Sequence, residues 1–322
     1  MKKVKTINLS YASSYEEQPY SNFGDSLSAI VVALLSGSEI LHSDFDSDSE
    51  RLAAIGTIAH ELDGGTVHLW GTGLDVKVSR VPGKRYFDAR DMKTKFIVHA
   101  LRGKISEHAF SSIGLMARGV YGDPAILLSK LLKSFVGEEK NGKVGIVCHL
   151  SDLDNYSSDS LPNPSYKRYF SDDPRLKFIS PITKPDPYSV IQKVKEIASC
   201  SYVLSSSLHG LVIADAFQVP SVFISPAEGI TGVYNIFDYE VDLDHRFRDY
   251  RSGVEDLVMP VLSAPKENVL NVDEVIGFIN SNWSGNEKIE RISDRLVDSF
   301  PYQVNGYKDH LILPENFFSL KV

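Results

Sequence analysis

Short β-prone runs alternate along the chain with apolar stretches at helical spacing, separated by turn residues. In the first part, strands are expected at residues 4–9, 39–41, 51–55, 66–70, 86–90 and 96–100. Helices are expected at 27–35, ending near Gly37, and at 104–113 and 125–135, the last opened by Asp123 as N-cap with Pro124 in the first helical position. The polar stretch 137–143 interrupts the pattern and is the best candidate boundary between domains. The pattern then restarts, with strands at 143–149, 177–179, 202–204 and 221–224 and helices at 187–198 and from 208 to the stop at Pro220. Residues 151–173 are polar and contain proline, so they read as a loop or flap. From 254 onward the chain reads as mostly helical, most clearly at 272–280 and 287–297. Strand–helix alternation of this kind predicts an α/β protein.

Composition narrows the class. A length of 322 residues suits two domains of ordinary size, and 43% hydrophobic with 24% charged residues is the balance of a globular protein with a sizeable core. A net charge of −8 argues against a general nucleic-acid binder, which needs a basic face for phosphates. No run approaches the roughly 18 apolar residues of a membrane span. The basic start at 1–14 lacks an apolar segment, so no signal peptide is expected. Cys148 and Cys200 match no metal spacing and fit buried thiols in a reducing cytoplasm.

Candidate chemistry gathers where strands give way to helices. Ser205, Ser206 and Ser207 form a hydroxyl-rich turn, and Leu208, His209 and Gly210 fall in the first helical turn, where free N–H groups favour an anion. The pattern suits a phosphate and acid–base site; it equally suits a capped helix with one exposed histidine. In the run 22–26, Gly24 lets the backbone turn sharply, while Asn22 and Asp25 can cap a helix or reach a ligand. Gly71 and Gly73 permit close backbone approach, by a ligand or by a neighbouring loop. Arg102 stands at a strand-to-helix turn, placed for a bidentate grip on a carboxylate or phosphate, or for a salt bridge. His149 ends a strand, where side chains face the ligand crevice of open α/β sheets or cap the strand. Glu228 follows another strand in S-P-A-E-G.

In order, N-F-G-D at 22–25, W-G-T-G at 70–73, L-R-G at 101–103, Y-G-D-P at 121–124, the strand ending in His149, S-S-S-L-H-G at 205–210 with A-D-A-F-Q-V-P after it, and F-D-Y at 237–239 align with one family. The chain resembles the polysaccharide pyruvyl transferases, particularly those of bacterial exopolysaccharide ketal formation. It departs from their pattern at Lys104 and Ser106, where the family usually has proline and threonine, at Ser207, where it often has arginine, and at Cys148, where proline commonly precedes the histidine.

The resemblance implies two Rossmann-like domains facing each other across a cleft, as in GT-B glycosyltransferases. Residues 1–140 would form the acceptor side, 141–282 the donor side, and 283–322 a helix and tail. That tail would pack back on the first domain, contact a partner or rest on a membrane surface. The implied reaction moves the enolpyruvyl group of phosphoenolpyruvate onto two hydroxyls of a glycan sugar, building a pyruvate ketal during surface-polysaccharide synthesis. Phosphoenolpyruvate serves as co-substrate, with no other cofactor and no metal, and the glycan would be lipid-linked. The expected location is the cytoplasm, at the inner face of its membrane. His209 is the first choice for donor contact and acid–base work, Arg102 for the anion clamp and His149 for a second acid–base group. Asn22, Gly24, Asp25, Gly71, Gly73, Ser205, Ser206, Ser207, Leu208, Gly210 and Glu228 complete the expected binding set. Two other readings fit the same residues: a GT-B glycosyltransferase using a nucleotide sugar, and a non-catalytic glycan-binding or assembly protein.

Overall fold

The computed structural model describes residues 6–15, 18–157, 159–305, 307 and 313–322. The first half contains β1 (Thr6–Ser10), β2 (Ser21–Asn22), α1 (Phe23–Ser36), β3 (Glu39–His42), β4 (Glu50–Ala53), β5 (Thr66–Thr72), β6 (Lys95–Leu101) and α2 (Lys104–Ser111). A 3-10 turn at Pro124–Leu127 leads into two single-turn helices, α3 (Leu128–Leu131) and α4 (Lys133–Val136). Five of these strands form a parallel sheet in the order β3-β1-β4-β5-β6.

The second half follows with β7 (Val144–Val147), β8 (Leu176–Ile179), β9 (Ile182–Thr183), α5 (Pro187–Ala198), β10 (Tyr202–Ser205), α6 (Leu208–Ala216) and β11 (Ser221–Ser225). Then come β12 (Gly232–Asn235), α7 (His245–Gly253), β13 (Val258–Ser263), α8 (Val272–Asn282) and α9 (Ile289–Asp298). Its sheet runs β12-β13-β11-β10-β7-β8, parallel except for the edge pair β12–β13. The α/β architecture of two mainly parallel sheets agrees with the sequence.

The halves are tightly joined. One apolar core runs from Ile7 and Leu9 through α1 to Val212 in α6 and Val261 in β13. Helix α6 packs on α1, α5 and the Pro124–Leu127 turn as well as on its own sheet, so every one of its residues is buried. A helix covered on all sides is apolar on all sides, which explains why its sequence shows no polar face. Strands β2 and β9, one from each half, pair antiparallel through Ser21–Thr183 and Asn22–Ile182. After α9 the chain turns back onto the first half: Trp70 Nε1 donates to Leu296 O at 2.8 Å and its ring meets Phe300 edge-on at 4.6 Å. At the end of the chain, Tyr11 donates to Lys321 O at 3.0 Å and Ser14 to Val322 O at 3.2 Å.

Three sequence expectations need correction. Residues 86–90 are not a strand: Asp88 caps a 3-10 turn at Ala89–Asp91 and holds both the backbone N–H and the guanidinium of Arg90. The expected helix 125–135 breaks into the 3-10 turn, α3 and α4. The region after 254 contains β13, an inner strand of the second sheet. In addition, α7 and β12 have no counterpart in the pattern reading. Residues 4 and 5 of the first expected strand lie outside the described residues.

Candidate active site between the two sheets

The junction of the halves is built on the first turn of α6. Ser205 Oγ donates to Ser207 O at 2.7 Å and accepts from Ser207 N at 3.0 Å, which folds the serine turn tightly and aims the helix start at the first half. A Cβ on Gly210 would lie 2.2 Å from Ser205 Oγ, so only glycine lets the helix begin this close to the turn. Ser207 is the N-cap but makes no side-chain capping bond. His209 is 8% exposed and lies across α1, where a Cβ on Gly24 would come within 2.2 Å of its Nδ1. Its Nε2 faces Asp123 Oδ2 at 3.6 Å, and neither atom has a hydrogen-bond partner among the described residues. Asp123 uses its other oxygen to accept from Ala125 N at 2.9 Å, so it both caps the 3-10 turn and faces the histidine.

Asn22 caps α1 by accepting from Gly24 N at 3.0 Å. Asp25 stands in the first turn of α1; burial pushes its carboxyl above the usual range, against the pull of His209 and Arg246. Gly71 packs against Pro124 and Gly73 against the guanidinium of Arg102.

Arg102 is fully buried and bridges the halves. Its Nε donates to Asp249 Oδ2 at 3.0 Å and its Nη1 to Thr57 Oγ1 at 2.6 Å, which leaves Nη2 as its one arm without a partner among the described residues. Asp249, 1% exposed in α7, also accepts from Ser106 N at 2.9 Å and from Ser106 Oγ at 2.6 Å. It therefore caps α2 from the opposite half. Ser106 keeps the hydroxyl that a threonine would supply there.

His149 stands just past β7. Its Nδ1 meets Ser151 Oγ at 2.8 Å and its Nε2 meets Arg246 Nη1 at 3.3 Å. Nδ1 also accepts from Ser151 N at 3.3 Å, so His149 caps the 3-10 turn at Leu150–Asp152. Burial, then Arg246, push the imidazole below its ordinary value. Arg246 is forked onto Asp244 in the same helix turn. Ser206 Oγ accepts from His149 N at 2.8 Å and touches Tyr169 Oη at 3.1 Å. The loop 151–173 is pinned here by Arg168, which donates to Asp152 at 2.7 Å and to Ala264 O at 2.7 Å. Around these groups lies a cavity of about 370 Å³ at the carboxyl ends of β7, β10 and β11. Glu228 is exposed beyond its rim, while Ser206 and His149 line it.

The structure thus brings Asp25, Arg102, His149, Ser206 and His209 to one junction. It adds Asp123, Asp244, Arg246 and Asp249, which the sequence reading did not assign to a ligand, and Arg168. Asp123 was visible only as a cap; the others sit in α7 or the long loop, where no apolar period marks them.

A sequence profile of the polysaccharide pyruvyl transferases matches residues 3–228. The chain belongs to that family. Polysaccharide pyruvyl transferases are transferases of polysaccharide modification, and the matched span includes Asp25, Arg102, Asp123, His149 and His209 but ends before α7. No curated protein matches the chain. A solved structure of a variant of the wall teichoic acid polymerase TagF is similar over 91% of this chain and 85% of that one, at 12% identity and a TM-score of 0.38. At that level it bears on neither mechanism nor substrate here. No helix among the described residues is long and apolar enough to cross a membrane.

Proposed function

We propose that this member of the family transfers the pyruvyl group of phosphoenolpyruvate to two hydroxyls of a glycan sugar, forming a cyclic ketal and releasing phosphate. The observation that carries the reading is the His209–Asp123 contact: two buried, unpartnered atoms 3.6 Å apart, contributed by opposite halves at a helix start. A buried histidine and carboxylate left unsatisfied are costly unless a ligand or proton transfer uses them. The family match supports pyruvyl transfer in glycan synthesis.

In this reaction a proton is delivered to the methylene carbon of the enol phosphate, and positive character builds at C2. One sugar hydroxyl attacks C2; phosphate leaves with its bridging oxygen, and the second hydroxyl closes the ketal. One hydroxyl proton replaces the proton delivered, and the other leaves with phosphate. His209 is placed to hand over and recover that proton, with Asp123 orienting its Nε2. The first-turn N–H groups of α6 are suited to the phosphate, and Nη2 of Arg102 is the one arm of that group left for an anion. No further cofactor enters this scheme. The acceptor is a lipid-linked surface-polysaccharide unit handled at the inner face of the cytoplasmic membrane.

The test is incubation with phosphoenolpyruvate and a panel of glycosides, followed by mass spectrometry and phosphate assay. The expected product gains the mass of pyruvic acid less one water, with one phosphate released per ketal. Transfer of a hexose from a nucleotide sugar, with no ketal from phosphoenolpyruvate, would overturn the reading. So would an absence of phosphate release with every acceptor.

A further inference from the structure

We propose that the cavity at the carboxyl ends of β7, β10 and β11 is a subsite for a neutral pyranose ring, the acceptor sugar under the pyruvyl-transfer reading on which this inference rests. The acceptor would then sit on the second half, opposite to the side the sequence suggests.

Charge is the first argument. Three carboxylates, Asp152, Asp242 and Asp244, line the cavity against two guanidiniums, Arg168 and Arg246. Both guanidiniums are already engaged: Arg246 with Asp244 and His149, Arg168 with Asp152 and Ala264 O. His149 is held below its ordinary value and adds no positive charge near neutrality. A phosphate or carboxylate ligand brings only acceptors and would lie against Asp242 and Asp244.

The hydrogen-bonding character of the wall is the second. The wall is rich in acceptors: the carboxylates of Asp152, Asp242 and Asp244 line it beside the hydroxyls of Ser151 and Ser206. A sugar hydroxyl can donate to these groups, whereas a phosphate or carboxylate ligand meets them with acceptors.

Shape is the third. A volume of about 370 Å³ lies near the lower end of the roughly 300–1,000 Å³ typical of small-molecule sites. Phe223, Pro226 and Ala227 give the wall an apolar strip for the C–H face of a ring. Arg246 lines this cavity and is also within electrostatic reach of Asp25 at the junction. Arg246 is thus shared between this cavity and the junction.

The experiment is isothermal titration of the full chain, without phosphoenolpyruvate, using the methyl glycosides of glucose, galactose, mannose and N-acetylglucosamine, with inorganic phosphate as the anion probe. At least one glycoside is expected to bind saturably and not be displaced by phosphate. Ala227→Trp at the rim should abolish that binding. The exposed Asp242→Asn, which leaves the core untouched, should weaken it by about tenfold through loss of a charged acceptor. The inference falls if none of the four binds, if both variants bind sugar like the parent, or if phosphate competes and Asp242→Asn tightens it. Ketal formation with an unchanged sugar KM in both variants would sink this subsite alone. Saturable, variant-sensitive sugar binding without any ketal product would sink the transfer reaction alone.

Discussion

A Cβ added to Gly24 would lie 2.2 Å from His209 Nδ1, so two motifs nearly two hundred residues apart meet at one van der Waals surface. Glycine at this position is a packing requirement set by the histidine of the other half. Gly24→Ala should push the imidazole out of its seat and away from Asp123. We expect turnover to fall by about 100-fold, comparable to His209→Gln, while overpacking costs about 1–3 kcal/mol of stability. Steady-state phosphate release from phosphoenolpyruvate reads the first effect and chemical denaturation the second. Near-parental turnover in either variant would remove His209 from the chemistry.

Asp249 ties the halves through one carboxylate that serves Arg102 and caps α2. Asp249→Ala should therefore cost about 3–5 kcal/mol, because it strands a buried guanidinium. Gly103→Ala acts on the same contact, since its Cβ would fall 1.8 Å from Asp249 O. Urea midpoints test both, and a loss below about 1 kcal/mol for Asp249→Ala would contradict the bridge.

Arg168→Met should free the loop 151–173. The guanidinium lies over both the Tyr166 and Tyr169 rings, 5.0 and 5.1 Å from their centroids, and neutralises Asp152. Its loss leaves that carboxylate buried and uncompensated, at about 3–5 kcal/mol. Limited proteolysis should then cut within the loop at a far lower protease concentration than in the parent. Unchanged cleavage would show that the loop is held by something else.

The elements that were legible in the sequence are those whose apolar faces follow a simple period. Helix α1 and the strands β5, β7 and β10 are of this kind, and the glycine and serine turns beside them carried the site motifs. Helix α7 was not legible. It reads H-R-F-R-D-Y-R-S-G, yet Arg248, Asp249 and Arg251 are all buried: Arg102 matches Asp249 across the chain, the carbonyls of Ile236, Val241 and Leu243 before the helix take Arg248, and Asp256 just after it takes Arg251. A hydrophobic pattern cannot report burial that depends on pairing across the chain. Strand β13 was hidden by Pro260, a poor residue for an inner strand; it stands opposite Val233 of the edge strand. Arg102 was recognisable as a cation at a turn. That it serves Asp249 before any ligand depended on α7, so the sequence could not reveal it.

The pH dependence of stability should carry the mark of His149 and of two histidines beside Asp75: His60, whose Nδ1 accepts from Asp75 N at 3.1 Å, and His245, whose Nε2 faces Asp75 Oδ1 at 3.7 Å. Burial holds His149, His245 and His60 below the ordinary imidazole value; Arg246 adds to this at His149, and Arg102 and Arg246 at His245, against the pull of Asp75 and Asp244. With the folded value below the unfolded one, the unfolded chain binds more protons as pH falls through about 6.5, so stability drops with acidification. Asp25 and Asp215 act in the opposite sense. Burial raises both carboxyls, so the strain of their charged forms is relieved as pH falls through their raised values. Three histidines stand against two carboxyls, and the histidines set the expected sign of the slope. We expect Tm to fall between about pH 7.5 and about pH 6, and His245→Gln to flatten that fall. A parental Tm that is level or rising over this interval would mean that these histidines take up protons in the folded protein as readily as in the unfolded chain.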